Sequence, residues 1–238
     1  IFNGSPKGEK GNTSVMAEFF IKGVEEAGAQ VEYILLAKKE IRHCRGCLHC
    51  WIKTPGRCVI KDDMRELIDT YMASDIVAIA TPLYVDNVSG MTKVFMDRLI
   101  PIVDPHFEDD GNGETRHIKG DREYPKMMVI SSCGFPEQSQ FQVLRLLFRR
   151  IARNMKGDLI AEIYRSQGNL LTIDHEMLKP IVDGYKKLLV KAGKEIVKNL
   201  KLSDETVAEL DKPMIPREMY ITGANEHWDR SLAAAKAL

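Results

Sequence analysis

The sequence predicts an α/β fold, a parallel sheet wound on both faces by helices. Three observations predict it. Short apolar runs alternate with amphipathic helical patterns along most of the chain. The run Ile76-Val77-Ala78-Ile79-Ala80 is continuously apolar, the signature of a central parallel strand covered on both faces. The chain also opens on an apolar stretch that passes through a Gly, Ser and Lys loop straight into a helix.

That opening, Ile1 to Val15, is a strand, an anion cradle and a helix N-terminus. Unpaired amides of a first helical turn and the helix dipole both favour an anion in the loop. A Walker loop would end Gly-Lys-Ser/Thr, yet Gly11 is followed by Asn12, and the G-x-G-x-x-G order is absent. Neutral donors on Ser5, Asn12, Thr13 and Ser14, with a lysine or two, suit a single terminal phosphate. A plain loop with Asn12 or Thr13 as N-cap is the alternative.

The following helix is expected over about 13–27, with Met16, Phe19, Phe20, Val24 and Ala27 on one face and Gly28 ending it. Val31 to Leu36 reads as a buried strand. Asp63 and Glu66 suggest a capping box for a helix to about Tyr71. The strand at 75–81 ends in turn chemistry at Thr81-Pro82, and a helix follows over about 90–100. Pro101 to Asp121 shows no periodicity and is long for a connection, so it is expected to be a lid or a contact arm. A strand at 126–132, a helix at 138–155 with Leu144, Leu147, Phe148, Ile151 and Met155 aligned, a strand at 159–164 and a long helix at 174–200 complete the series. Beyond Leu200, Pro213 and Pro216 break the chain, and Tyr220, Ile221, Ala224, Trp228 and Leu232 form a helical stripe expected to dock on the core or across a subunit contact.

At 238 residues the chain is expected to form one α/β domain with additions. Lys plus Arg and Asp plus Glu both number 34, with no basic stripe interleaved with aromatics, so nucleic acid is not an expected partner. No run of eighteen apolar residues and no signal pattern is seen, which predicts a soluble cytoplasmic protein with no membrane partner. The first residue is not Met and the first strand looks clipped, so upstream residues are expected to be missing.

Ligands of such a sheet lie beyond the carboxyl ends of its strands, where strand order reverses. Three loops should meet there. They are Gly4 to Ser14, Thr81 to Gly90 with Tyr84, and Ser131 to Gln138 with Gly134 permitting close backbone approach. Together they suit a phosphate-bearing aromatic cofactor.

Four of the five cysteines crowd into Cys44-x-x-Cys47-x-x-Cys50 and Cys58. Two-residue gaps let three thiolates converge from one loop, and the fourth returns past the Thr54-Pro55-Gly56 turn, as a cubane iron-sulfur cluster requires. Zinc fits the same donors, with His43 and His49 at hand. An empty site, its thiols free or paired in one disulfide, is the third reading. Asp97-Arg98 reads as a surface or helix-end ion pair. His106 and His117 belong to a solvated loop rather than a metal site, and His175 is expected to be exposed.

Asn3-Gly4-Ser5-Pro6-Lys7 with Gly11-Asn12-Thr13, then Thr81-Pro82-Leu83-Tyr84 and a helix carrying Lys93, Phe95, Met96, Asp97 and Arg98, resembles the flavodoxin-like NAD(P)H-dependent FMN reductase family over roughly residues 1–165. The cysteine segment resembles its iron-sulfur flavoprotein branch. The resemblance implies a flavodoxin-like five-stranded parallel sheet of order 2-1-3-4-5, with a helical C-terminal extension. It implies an FMN-binding domain over 1–200, the cysteine loop 44–58 inserted after strand 2, and a docking arm over 201–238. It further implies an FMN phosphate held by Ser5, Lys7, Asn12, Thr13 and Ser14. The ring would be held by Pro82, Leu83, Tyr84, Asn87, Ser132, Cys133, Gly134 and Phe135. A [4Fe-4S] cluster on Cys44, Cys47, Cys50 and Cys58 is implied, with zinc left open.

The implied activity passes electrons from NAD(P)H through FMN to a small acceptor such as a quinone, flavin, nitro or azo compound, or an oxygen species. Ferredoxin is a further candidate partner, and a homodimer or homotetramer is expected. No side-chain acid, base or nucleophile is obligatory, because the flavin carries the chemistry. The alternatives are a non-enzymatic FMN/iron-sulfur electron carrier and a zinc-stabilised binding protein.

Overall fold

The computed structural model describes residues 1–119 and 123–236. The chain runs β1 (Phe2–Asn3), α1 (Asn12–Glu26), β2 (Ile34–Leu35), α2 (His49–Ile52), α3 (Met64–Ala73), β3 (Ile76–Tyr84), β4 (Asn87–Val88) and α4 (Gly90–Asp97). It continues through β5 (Phe107–Asp109), β6 (Thr115–His117), β7 (Lys126–Ser132), α5 (Gln142–Asn154), β8 (Leu159–Arg165), α6 (Lys179–Asn199), α7 (Asp204–Asp211) and α8 (Arg217–Lys236). Five strands pair in parallel in the order β2-β1-β3-β7-β8, which is the 2-1-3-4-5 order expected, and β4 folds back antiparallel on β3.

Strand alternation divides the core into two layers. Val77, Ile79, Met127 and Val129 face α3, α4 and α5, where Tyr71, Phe95 and Phe148 are buried. Ala78, Ala80, Met128 and Ile130 face α1 and α6. The small residues of β3 on that second face let α1 lie close, and α1 in turn meets α6 through two glycines. A Cβ on Gly23 would stand 2.0 Å from the Val190 carbonyl oxygen, and one on Gly193 2.3 Å from that of Phe20. Neither backbone oxygen can move aside cheaply, so both positions require glycine.

Several expectations are corrected. The strand at 31–36 is only two residues long, because Val31 and Tyr33 are half-buried outside the ladder. The capping box does not form: Asp63 Oδ2 accepts from the Glu40 amide at 2.7 Å, while Asp62 Oδ1 accepts from Met64 N at 3.2 Å. The segment 101–121 is not featureless. A 3₁₀ turn at Ile100–Ile102 leads into the β5–β6 hairpin, whose Glu108 and Arg116 pair across the strands, and positions 120 and 121 of that segment lie outside the described residues. Three-residue strands are too short to register as periodicity. The helix from 174 starts at Lys179, with Pro180 in its first turn as proline prefers. His175 is exposed, as expected.

At the C-terminal end Leu210, Met214 and Tyr220 are buried in the α1/α6 layer, whereas Trp228 and Leu232 on the same stripe are exposed. Positions 237 and 238 of that arm lie outside the described residues. No described helix is long and apolar enough to cross a membrane.

Candidate functional site: a three-loop rim and a cysteine loop

At the end of β1 the chain is clamped. Gly4 N donates to the Ala80 carbonyl at 2.8 Å, and Ser89 Oγ donates to the Gly4 carbonyl at 2.5 Å. A Cβ on Gly4 would lie 1.9 Å from Thr92 Oγ1, so the loop leaves the sheet pressed against the start of α4. The loop then curls through a 3₁₀ turn at Gly8–Lys10 with Gly8 at φ +53°, and α1 begins at Asn12. Gly11 closes the cradle, since a Cβ there would stand 2.7 Å from Ser5 Oγ.

The predicted phosphate residues divide by role. Ser5 is buried with its amide bonded to Asn3 Oδ1 at 2.8 Å, and its hydroxyl makes no hydrogen bond to protein among the described residues. Thr13 is buried beside Ser132, with 3.4 Å between the two hydroxyls. Lys7 is exposed at the loop edge. Ser14 is different. Its hydroxyl donates to the Gly8 carbonyl at 2.6 Å and accepts from Asn3 Nδ2 and Tyr33 OH at 2.8 and 3.1 Å. It braces the loop rather than facing it. Asn12 is likewise tied, to Asn169 and Thr172 at 3.1 and 2.9 Å. The set left facing the cradle is Ser5, Thr13, first-turn amides and a lysine, a donor set that fits a phosphate.

The second loop follows β3. Pro82 and Leu83 are buried, and β3 turns back into β4 at Val85-Asp86, both at positive φ (49° and 57°). That conformation matches the twist of a two-residue hairpin but is unfavourable for a β-branched residue. It lifts Tyr84 to 44% exposure. Asn87 is exposed, with its Oδ1 accepting from Val88 N at 2.8 Å.

The third loop follows β7. Ser132 is buried at the rim, while the Cys133 side chain turns into the α3/α5 core, where burial pushes its thiol up to about 11. Cys133 N donates to the Arg165 carbonyl and its own carbonyl accepts from Gly168 N, so its backbone is also spoken for. Gly134 and Phe135 are exposed, and their amides make no hydrogen bond to protein among the described residues. The Tyr220 hydroxyl from α8 donates to the Gly134 carbonyl at 2.7 Å and steadies this loop. Sequence reading missed Asn3, Tyr33, Ser89, Asn169 and Tyr220, whose roles depend on partners 11 to 157 positions away.

The four clustered cysteines are all free thiols, with Cys44 and Cys47 exposed and Cys50 and Cys58 half-buried. Burial and then the neighbouring thiols, Cys58 first, raise the Cys50 thiol above its ordinary value. An all-sulfur donor set fits an iron-sulfur cluster or zinc. No three His, Cys, Asp or Glu side chains are closed into a ligating group among the described residues. The loop is anchored at two points. Trp51 Nε1 donates to the Ile100 and Val103 carbonyls at 3.1 and 2.8 Å. Arg98, expected in a surface or helix-end ion pair with Asp97, sits at the end of α4 but is buried and pairs elsewhere. It donates to the Arg42 carbonyl and to both oxygens of Asp62, the residues bracketing the cysteines, while Asp97 pairs with Lys93.

Residues 1–114 match the model of a family described as NADPH-dependent FMN reductase. An iron-sulfur flavoprotein of Archaeoglobus fulgidus is 41% identical over 60% of this chain and 59% of its own length. The iron-sulfur flavoprotein MJ1083 of Methanocaldococcus jannaschii is 36% identical over 42% of this chain and 50% of its own. The chain thus spans about half the length of the curated relatives it matches. Among solved structures, an FMN-dependent NADH-azoreductase from Bacillus anthracis in complex with FMN superposes with a TM-score of 0.59. It is 15% identical, and the superposition covers 83% of this chain and 98% of that one. At that identity the likeness shows the shared fold.

Proposed function

Since the chain is a relative of the iron-sulfur flavoproteins in the NADPH-dependent FMN reductase family, we propose that it is an FMN-dependent oxidoreductase drawing electrons from NAD(P)H for a small acceptor. The observation that carries this reading is the meeting of three loops at the carboxyl edge of the sheet, where Thr13 and Ser132 approach to 3.4 Å. When bound, FMN supplies the hydride acceptance and the onward electron delivery. Ser5, Thr13 and the opening amides of α1 would hold its phosphate, Lys7 would add charge, and Asn12 and Ser14 would keep the loop in shape. Pro82, Leu83, Tyr84 and Asn87 would line one side of the ring, and Ser132 with the Gly134 and Phe135 amides the other. Those amides would stabilise charge on the ring's polar edge. No side chain at the rim need move a proton.

Cys44, Cys47, Cys50 and Cys58 would hold a [4Fe-4S] cluster that exchanges single electrons with a carrier such as ferredoxin. The four-thiol donor set allows it, and the curated relatives' names support it over zinc. The protein would work in the cytoplasm as a homodimer or homotetramer. Its FMN-binding unit would comprise residues 1–200, and the exposed Trp228 side of the 201–238 arm would dock on a second copy.

Anaerobic purification followed by a visible spectrum, iron, sulfide and zinc analysis, and nicotinamide oxidation with an added quinone tests the whole reading. Flavin bands, iron with sulfide, and acceptor-dependent NAD(P)H consumption are expected. Absence of flavin refutes the oxidoreductase. Zinc in place of iron refutes the cluster alone, and flavin without nicotinamide oxidation makes the protein a carrier.

A further inference from the structure

A cavity of about 400 Å³ lies between α4, α5 and the hairpin, on the α3/α5 face of the sheet. None of the rim residues lines it. Its walls are largely apolar and unusually aromatic, with Trp51 from the cysteine loop, Tyr71 at the end of α3, Phe148 and Ile151 from α5, and His117 from β6. Volume and lining fall in the range of small-molecule sites, which are apolar with a few placed polar groups.

Two polar atoms here lack protein partners among the described residues. His117 Nδ1 is buried and makes no hydrogen bond, although the imidazole packs between Trp51 (6.0 Å between ring centres) and Phe107 (5.0 Å). The Tyr71 hydroxyl makes no hydrogen bond among the described residues. An unsatisfied buried nitrogen is a cost that folding alone does not repay, and a ligand oxygen reaching it removes that cost. Lys93 and Asp97, also lining the cavity, neutralise each other at 2.6 Å, so no net charge is presented to an ionic ligand.

We propose that this cavity binds a neutral, flat aromatic molecule of about naphthol size that carries one hydrogen-bonding oxygen, directed at His117. Trp51 adjoins Cys50, so the ligand would lie against the cysteine loop. The inference does not rest on the flavin reading, because no rim residue takes part.

Calorimetric titration of the purified holoprotein with 2-naphthol, and with naphthalene as the match lacking oxygen, tests it. One saturable site per chain is expected for 2-naphthol, with naphthalene about tenfold weaker, the size of effect expected from one unsatisfied polar atom. His117→Phe should bring the two ligands to within about twofold of each other. Ile151→Trp should abolish binding of both, and Leu147→Phe, which fills the same space from the preceding turn, serves if Ile151→Trp does not fold. The flavin spectrum should stay unchanged throughout. The proposal is overturned if 2-naphthol fails to saturate, if the filled cavity binds it as well as the parent, or if the tenfold preference survives in His117→Phe. Binding that shifts the flavin bands also overturns it, since the ligand is then stacking at the rim.

Discussion

Arg98 grips Asp62 with two nitrogens, at 2.6 and 3.0 Å, and the pair is buried to 1% and 0% side-chain exposure. A third bond, from Arg98 to the Arg42 carbonyl at 2.6 Å, makes it the bracket of the whole cysteine loop. A charge pair so enclosed is costly to break from one side, because the partner is left buried and alone.

Arg98→Met should therefore destabilise the protein by about 3–5 kcal/mol in urea denaturation. Arg98→Met combined with Asp62→Leu should recover a large part of that loss, since no bare charge remains. A double mutant no better than the single would show that the carbonyl contact, not the ion pair, matters.

The Val85-Asp86 turn stores strain. A β-branched residue at φ 49° pays about 1–2 kcal/mol that Asn or Gly would not. Val85→Asn with Asp86→Gly should raise the melting temperature by several degrees, on the order of 1–2 kcal/mol. If it does so while weakening flavin retention, the strain helps to present Tyr84.

Gly4→Ala should expel flavin before it unfolds the chain. Its Cβ would meet Thr92 Oγ1 at 1.9 Å and force the β1 loop off the start of α4. Loss of the visible flavin bands, with partial recovery in Gly4→Ala/Thr92→Ala, is the expected readout. Flavin content equal to the parent's would remove the clamp from the account of the site.

Asp110 links the hairpin to α5. The Asn112 amide, then Arg153, holds its carboxyl down from 3.8 to about 2. A depressed folded-state value contributes stability present above the unfolded value near 3.8, and it is lost as pH falls through about 2. Asp110→Asn should melt lower than the parent at pH 7, and the gap should close between about pH 4 and pH 2. A gap independent of pH would assign the loss to packing.

Cys50→Ser should lose iron and sulfide while keeping flavin. The two sites share no residue, so coupled loss of both would mean that the cysteine loop also shapes the rim.

The continuous apolar run Ile76 to Ala80 and the Gly4 to Ser14 loop were legible because local chemistry dictates them: burial on both faces of a central strand, a helix start and glycines at close approach. The β5–β6 hairpin was not, since three-residue strands leave no period to count. Asp97-Arg98 reads as a surface or helix-end ion pair, and Arg98 does end its helix, but adjacency suggests the wrong partner, since Arg98 pairs with Asp62 and Asp97 with Lys93. The bracing of Ser14 was equally invisible. A hydroxyl in a loop looks like a ligand donor until Asn3 and Tyr33 are seen to occupy it.

The glycine crossing of α1 on α6 ties the second half of the first long helix to one that begins at Lys179. Residues 1–114, the portion matched by family, end before β7, so a fragment cut there would leave the long edge of β3 unpaired and its Ala78 and Ala80 face without α6. Such a piece should aggregate rather than fold. During synthesis the opening loop must wait for more than half of the chain to emerge before it can take its final shape, which makes this a slow-assembling topology for its size.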